Sequence, residues 1–275
     1  MAEARAPERP GAWQAYRVVL GSRLRAQSSY RASFVLDVLG SGAITLVEFS
    51  EVYVIFHNVP VLGGLDFRAA ALVYALAALS FSLGDLLTGD IDRIPVYVRS
   101  GNLDTLLVRP LPLLAQLVTG DVQLRRLGRV LVALGILAVV LPAVDVAWSP
   151  ARVGLLAMTP LAGAMVFSGL FVAVGGAQFW LVEGGEFANA FTYGSSYAAS
   201  FSPAVLTLPL RLLFSFVLPA AFTGYLPAIA LLGLPGPPWL PAWLGWLTPV
   251  AGVLTWAAAL ALWRLGVRRY TGAGG

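Results

Sequence analysis

Six long apolar stretches, separated by shorter polar segments, dominate the pattern of hydrophobic positions along the chain. A helix that crosses a bilayer needs about 20 consecutive apolar residues, and each stretch approaches or exceeds that length. The chain is therefore predicted to be an all-α polytopic membrane protein with six transmembrane helices. The predicted spans cover residues 33–57, 67–89, 127–148, 153–182, 205–232 and 242–264.

The composition supports a membrane protein. Of the 275 residues, 58% are hydrophobic and only 12% are charged, and the mean hydropathy is +0.79. A soluble domain carries about twice that share of charge. The basic pI of about 9.7 could indicate nucleic acid as a partner, but most arginines flank the apolar stretches. We therefore expect the lipid bilayer as the surroundings and no nucleic acid as a partner.

The arginines predict the orientation, because loops with many basic residues stay in the cytoplasm. The predicted cytoplasmic arginines are Arg5, Arg9, Arg17, Arg23, Arg25, Arg31, Arg93, Arg99, Arg109, Arg125, Arg126, Arg129, Arg264, Arg268 and Arg269. The loops of the opposite side contain only Arg68 and Arg152. Both termini are predicted to be cytoplasmic.

Residues 1–30 form a basic arm in which Trp13, Tyr16, Leu20 and Leu24 recur at helical spacing. The arginines that follow Trp13 lie away from that apolar face, a pattern typical of an amphipathic helix in the membrane interface. A frayed basic tail is the alternative.

Several kinds of chemistry are excluded by residues that the chain lacks. It has no cysteine and a single histidine, His57, so neither a disulfide nor a histidine–cysteine zinc site can form. All 18 basic residues are arginine, and without lysine there is no Walker A motif and no Schiff base. The chain therefore does not carry a standard ATP-hydrolysing P-loop. We expect no catalytic residue, no metal and no cofactor in this chain.

The loop between spans two and three has an unusual pattern of charges, glycine and proline. A short helix is predicted over residues 103–108, with Asn102 as its N-cap. Asp104 in its first turn and Arg109 at its end suit the helix dipole, and Pro110 then stops the helix. Such a segment could dock into a soluble partner, although an ordinary loop is the alternative. The candidate docking residues are Gly101, Asn102, Leu103, Asp104, Leu106, Leu107, Arg109 and Pro110.

The first span carries Asp37, Glu48 and Glu51, which share one helical face at about 100° per residue. An acid near the bilayer centre costs about 2.5–3.5 kcal/mol, so this face is expected to point away from lipid. The three acids are candidates for the lining of a translocation path. Alternatively, they lie near the headgroups at the two ends of the span.

Four stretches resemble one known family. "SSYRASFVLDVL" resembles the start of the first span of permease subunits in type-two ATP-binding-cassette (ABC) exporters, in the branch described as ABC-type family transporter proteins. "SGNLDTLLVRPLP" resembles the segment between the second and third spans of that family. "SFVLPAAFTGYLPA" resembles its fifth span, and "WRLGVRRYTGAGG" its C-terminal tail. Together they cover the chain from end to end.

The resemblance implies one permease domain over residues 1–275, with an interfacial helix in the arm 1–30 and a tail at 265–275. A coupling helix within residues 90–112 would dock into a separate ABC ATPase. A re-entrant element is expected between spans five and six, in "LGLPGPPWLPAWLGWL", residues 232–247. The partners would be ABC ATPase subunits and a second or sibling permease. The location implied is a bacterial cytoplasmic (inner) membrane.

The predicted function is therefore that of a permease subunit of an ATP-driven exporter, not itself an enzyme. An ion-coupled secondary transporter that uses the acids of the first span is the alternative, although no internal repeat is evident. An intramembrane enzyme would need a nucleophile–base pair, for which the three acids are poorly placed. A purely structural anchor would not explain the cytoplasmic segment.

Overall fold

The computed structural model describes residues 21, 31–120, 123–181 and 185–271. The predicted amphipathic arm, apart from Gly21, and the last four residues of the tail lie outside the described residues. The described residues form helices and no strand longer than an isolated bridge between Leu62 and Leu65. The prediction of an all-α polytopic membrane protein is confirmed.

Eleven α-helices are numbered here in chain order within the described residues. They are α1 (Arg31–Asn58), α2 (Phe67–Thr88), α3 (Ile94–Arg99), α4 (Asn102–Leu107), α5 (Leu113–Gly120), α6 (Leu127–Val140), α7 (Pro150–Ala177), α8 (Gly185–Ala199), α9 (Leu208–Leu212), α10 (Tyr225–Leu232) and α11 (Thr248–Arg269). Between these helices lie six 3₁₀ segments, at Gly89–Arg93, Leu124–Arg126, Leu141–Ala143, Pro203–Val205, Ala220–Phe222 and Ala242–Leu247. A π-helix covers Leu213–Val217.

Five helical segments are long and apolar enough to cross a membrane, and they match predicted spans one to four and six. They are Arg31–Asn58, Phe67–Arg99, Leu124–Ala143, Pro150–Ala177 and Ala242–Arg269. Their ends follow local chemistry. Asp66 caps α2 by accepting a hydrogen bond from the Ala69 N–H, and Ser149 caps α7 in the same way at Arg152.

The centre of the bundle is formed by α2 and α7, which pack on each other while α7 also packs along α11. Small residues allow this close approach. A Cβ added at Gly176 of α7 would lie 2.9 Å from the Trp263 Cα of α11, and one at Gly169 would lie 2.9 Å from the Thr255 Cγ2. The end of the bundle that carries Arg93, Arg99, Arg268 and Arg269 is called the Arg-rich end below, and the other is the opposite end.

The predicted fifth span, residues 205–232, is not one straight helix. It is a pair of helical segments, Leu208–Val217 and Ala220–Leu232, bent by 62° at a short break. Thr223, just beyond that break, accepts a hydrogen bond from the Ser80 hydroxyl at 3.2 Å. Because Ser80 lies near the middle of α2, the bend reaches only half-way along the bundle.

Both ends of this pair lie at the opposite end of the bundle, so the pair is re-entrant. Just before it, Ser202 donates a hydrogen bond of 2.8 Å to the Gly63 carbonyl, in the loop between α1 and α2. Just after it, a Cβ at Gly233 would lie 3.3 Å from the guanidinium of Arg152, at the start of α7. The re-entrant element was expected at residues 232–247, but it lies earlier in the chain, at residues 208–232. Residues 233–241 are not helical, and the 3₁₀ segment Ala242–Leu247 leads into α11.

The fifth crossing is made by α8 with the residues that follow it. This helix begins near the 3₁₀ segment Gly89–Arg93 at the Arg-rich end, and the chain reaches the Gly63 loop by Ser202. The sequence pattern predicts a connection here, because the stretch is rich in glycine, serine and aromatic residues. Tyr193, Ser196 and Tyr197 of this helix line a cavity, which is described next.

Candidate functional site

The segment predicted to dock a partner lies at the Arg-rich end, where α3 and α4 meet at Gly101. This glycine has a φ of 69°, in the left-handed region that favours glycine. Gly101 directly precedes α4 and is its N-cap. The prediction of Asn102 as the cap is wrong, because Asn102 is already the first helical residue. The helix covers Asn102–Leu107, one residue earlier than predicted.

The inner face of α4 packs against the bundle itself. Leu103 is fully buried in an apolar cluster that includes Ile91, Val172 and Trp263. The Gln116 side chain of α5 donates hydrogen bonds of 2.9 and 2.8 Å to the carbonyls of Leu106 and Leu111. Leu103, a candidate docking residue, thus anchors α4 to the helix bundle and is not free to contact a partner.

A hydrogen bond joins α4 to the end of the last helix. Tyr270 donates from its hydroxyl to the Asp104 Oδ1 at 2.9 Å. Burial raises the pKa of Tyr270, and the hydrogen bond to the Asp104 carboxylate raises that pKa further. The Tyr270 ring also contacts Phe179, 6.0 Å between ring centroids, beyond the end of α7. The position of α4 is thereby linked to both α7 and α11.

The outer face of this segment is open. Asn102, Leu107, Arg109 and Pro110 are exposed, Gly101 and Leu106 are partly buried, and Val108 is 84% exposed. Val108 was not among the predicted docking residues. An apolar side chain next to an arginine and a proline, on an anchored short helix, is suited to a shallow groove on another protein.

A buried ion pair joins α2 to the start of the third span close to this segment. The Arg126 Nη1 lies 3.1 Å from the Asp85 Oδ1, and it donates to the Asp85 carbonyl at 2.6 Å. Both side chains are nearly inaccessible to solvent. Nearby, the Gln123 amide donates to the Asp90 Oδ1 at 2.8 Å.

The acids of the first span lie along two cavities between α1, α2, α6 and α8. We call the one of about 240 Å³ the aromatic cavity. Its lining residues are Glu48, Glu51, Tyr74, Phe81, Arg129, Tyr193, Ser196, Tyr197, Ser200 and Phe201. The Tyr74 hydroxyl donates to the Thr45 carbonyl at 2.8 Å and lies 3.5 Å from the Glu48 Oε2.

The second cavity, about 380 Å³, lies closer to the Arg-rich end, and we call it the arginine cavity. Its lining residues are Leu36, Asp37, Gly40, Ser41, Ile44, Asp85, Arg125, Arg126, Arg129 and Tyr193. Arg129 and Tyr193 line both cavities. Asp37 lines the arginine cavity, and Glu48 and Glu51 line the aromatic cavity.

Several lining residues were missed by the sequence reading. In the sequence, Arg129 serves only to predict the orientation. The predicted connection between spans four and five, residues 183–204, contains Tyr193, Ser196, Tyr197 and Ser200. A helical signal was present, because Tyr193, Ser196, Tyr197 and Ser200 recur at spacings of three and four residues.

The sequence profile described as "ABC-2 family transporter protein" matches residues 43–274. The chain belongs to the ABC-2 transporter family. The permease resemblance is thereby confirmed over nearly the whole chain, including α2 to α11 and the docking segment. No curated protein and no solved structure matches the chain.

In an ABC-2 transporter the family domain is the membrane component, so this chain is a permease and a multi-pass membrane protein. Such a domain is not itself a catalytic enzyme. The roles of the docking segment and of the two cavities stay predictions.

Proposed function

We propose that this ABC-2 permease is the membrane subunit of an ATP-driven exporter, and that α4 is its coupling helix. The observation that carries the proposal is the two-sided construction of α4. Leu103 and Asp104 attach it to the bundle, while Leu107, Val108 and Arg109 are exposed. A force applied to the exposed face would thus reach α7 and α11 directly.

The permease would lie in the inner membrane of a bacterial cell. Its Arg-rich end would face the cytoplasm, because loops with many basic residues stay on that side. Both termini would then be cytoplasmic, and the segment 90–112 would meet the ATPase on that side. The ATPase would bind ATP, because this chain lacks the lysine of a Walker A motif.

A second permease, identical or sibling, would complete the translocation path. The face of α1 beside the cavities exposes Leu36, Leu39 and Val47 by 60–70%. Asp37, Glu48 and Glu51 are exposed on the same helix, where they line the two cavities. A second copy placed against α1 would enclose the acids between two subunits and away from lipid. Switching between inward- and outward-facing states would then be a rigid-body change between packed helices.

The decisive experiment is co-purification with an ABC ATPase encoded beside this chain, using a tag on the permease. We expect the ATPase to co-elute with the wild-type permease. The amount that co-elutes with the Val108→Asp variant should be at least tenfold lower. A charge on that exposed side chain would have to be buried in the ATPase groove. Leu103→Asp is unsuitable, because it would disrupt the buried cluster of the permease itself.

Val61→Asp is the matched control, since Val61 is also an exposed valine, 59% accessible, but at the opposite end. It should leave the ATPase bound. If the ATPase fails to bind the wild type, or binds Val108→Asp and wild type equally, the coupling role is wrong. The ion-coupled alternative would then be tested by transport driven by an ion gradient.

A further inference from the structure

The aromatic cavity has an excess of negative charge. Glu48 and Glu51 line it, and Arg129 is the one basic side chain among its lining residues. Among the described residues, no basic nitrogen lies within 4 Å of a carboxylate oxygen of either glutamate, the distance at which an ion pair forms. Carboxylates without a basic partner in a site of reduced polarity attract a cation strongly.

Aromatic rings form much of the lining of this cavity. Phe81 and Tyr193 meet edge to face with centroids 5.6 Å apart, and Tyr197 and Phe201 lie 5.3 Å apart. The face of an aromatic ring carries partial negative charge and attracts organic cations within about 6 Å. Rings and carboxylates therefore select for the same sign of charge.

The ring of Tyr74 is held in place before any ligand arrives. Its hydroxyl donates to the Thr45 carbonyl of α1 at 2.8 Å, and its ring packs on Phe49 with centroids 5.4 Å apart. The remaining lining is small and polar, from Ser196 and Ser200 of the fifth crossing. This leaves space for an apolar group beside the acids.

We propose that the aromatic cavity binds an amphiphilic organic cation, with its positive centre at Glu48 and Glu51 and its apolar part against the tyrosines. This inference rests on the proposed export function, because such a cation would be the exported substrate. Arg129, which also lines the arginine cavity, would repel the bound cation and keep it beside the aromatic rings.

The test compares two probes of the same shape and opposite charge, tetraphenylphosphonium and tetraphenylborate. Binding of each to the purified permease in neutral-lipid nanodiscs is measured by equilibrium dialysis, with empty nanodiscs subtracted. We expect saturable binding of tetraphenylphosphonium only. Saturable binding of tetraphenylborate with equal affinity, or no saturable binding of the cation, would overturn the proposal.

Variants localise the binding. Glu48→Gln and Glu51→Gln should each weaken cation binding by about tenfold, through loss of a charge. Tyr197→Leu keeps an apolar side chain and should weaken it by about fivefold, through loss of a cation–π contact. Glu186→Gln, an exposed acid at the start of α8, is the matched control and should bind like the wild type. If all four variants bind equally, the cation lies elsewhere and the proposal is wrong.

The same preparation separates this proposal from the coupling role. Co-elution of the ATPase and its loss in Val108→Asp do not depend on the cavity. An ATPase that binds a permease without cation affinity would refute the substrate class alone, whereas cation binding without an ATPase would refute the coupling role alone.

Discussion

At the scale of single residues, the acids within α1 and α2 either have a basic partner or line a cavity. Asp85, only 3% exposed, is paired with Arg126, whereas Glu48 and Glu51 line the aromatic cavity. The sequence pattern identified these acids and arginines but could not pair them, because Asp85 and Arg126 are 41 positions apart. Leu103 and Leu107 also have equal apolarity in sequence, and only packing distinguishes the anchor from the exposed side chain.

Arg126→Leu should strongly destabilise the permease. It leaves the Asp85 carboxylate buried without its cation, which costs about 3–5 kcal/mol. Thermal unfolding in detergent should show a large drop in the midpoint. Adding Asp85→Asn should restore most of the loss, because the uncompensated charge is gone. Arg125→Leu, at an exposed neighbour, should have little effect; an equal drop there would contradict the importance of the pair.

Tyr270→Phe should loosen α4 without unfolding the bundle. It removes one hydrogen bond to Asp104, with a net value of about 1 kcal/mol, or about fivefold in local opening. Hydrogen exchange of the α4 amides should become faster by that factor. Tyr53→Phe, at the far end of α1, should leave these amides unchanged. Unaltered exchange in Tyr270→Phe would show that the bond does not hold α4.

At the scale of elements, helix identity was readable wherever a mostly apolar stretch is long enough to cross the bilayer. Predicted spans one to four and six agree with the structure for this reason. The fifth crossing was missed because α8 has only 15 residues and polar ones among them, while the more apolar re-entrant pair resembled a span. Hydropathy reports which residues avoid water, and it does not report whether a buried helix turns back half-way.

Close helix contact can be tested at two glycines of α7. Gly176→Ala places a methyl group 2.9 Å from the Trp263 backbone, which must shift, so we expect a loss of about 1–3 kcal/mol. Gly154→Ala in the same helix meets nothing within 4 Å and should stabilise by about 0.5–1 kcal/mol. Thermal midpoints of the two variants should move in opposite directions. A lower midpoint for both would point to helix effects unrelated to packing on α11.

At the scale of the whole molecule, the topology depends on whether α8 crosses the membrane. Residues 202–205 contact the Gly63 loop, so both belong to the same side. A single span over residues 205–232 would place Val205 on the Arg-rich side instead. The two arrangements differ in a property that can be measured in intact cells.

Because the chain has no native cysteine, single-cysteine variants report on one site each. We expect a membrane-impermeant maleimide to label Val61→Cys and Val205→Cys in intact cells, since both side chains are exposed at the opposite end. Val108→Cys should react only after permeabilisation. Labelling of Val205→Cys together with Val108→Cys would contradict the re-entrant arrangement.

The all-arginine composition has a consequence for how a cell could regulate this permease. A guanidinium group stays protonated at every physiological pH, so the positive charge of the Arg-rich end cannot be titrated away. Acetylation and other modifications directed at lysine side chains have no target in the chain. Neither a change of pH within the physiological range nor a modification of lysine can therefore alter the positive charge of the docking surface.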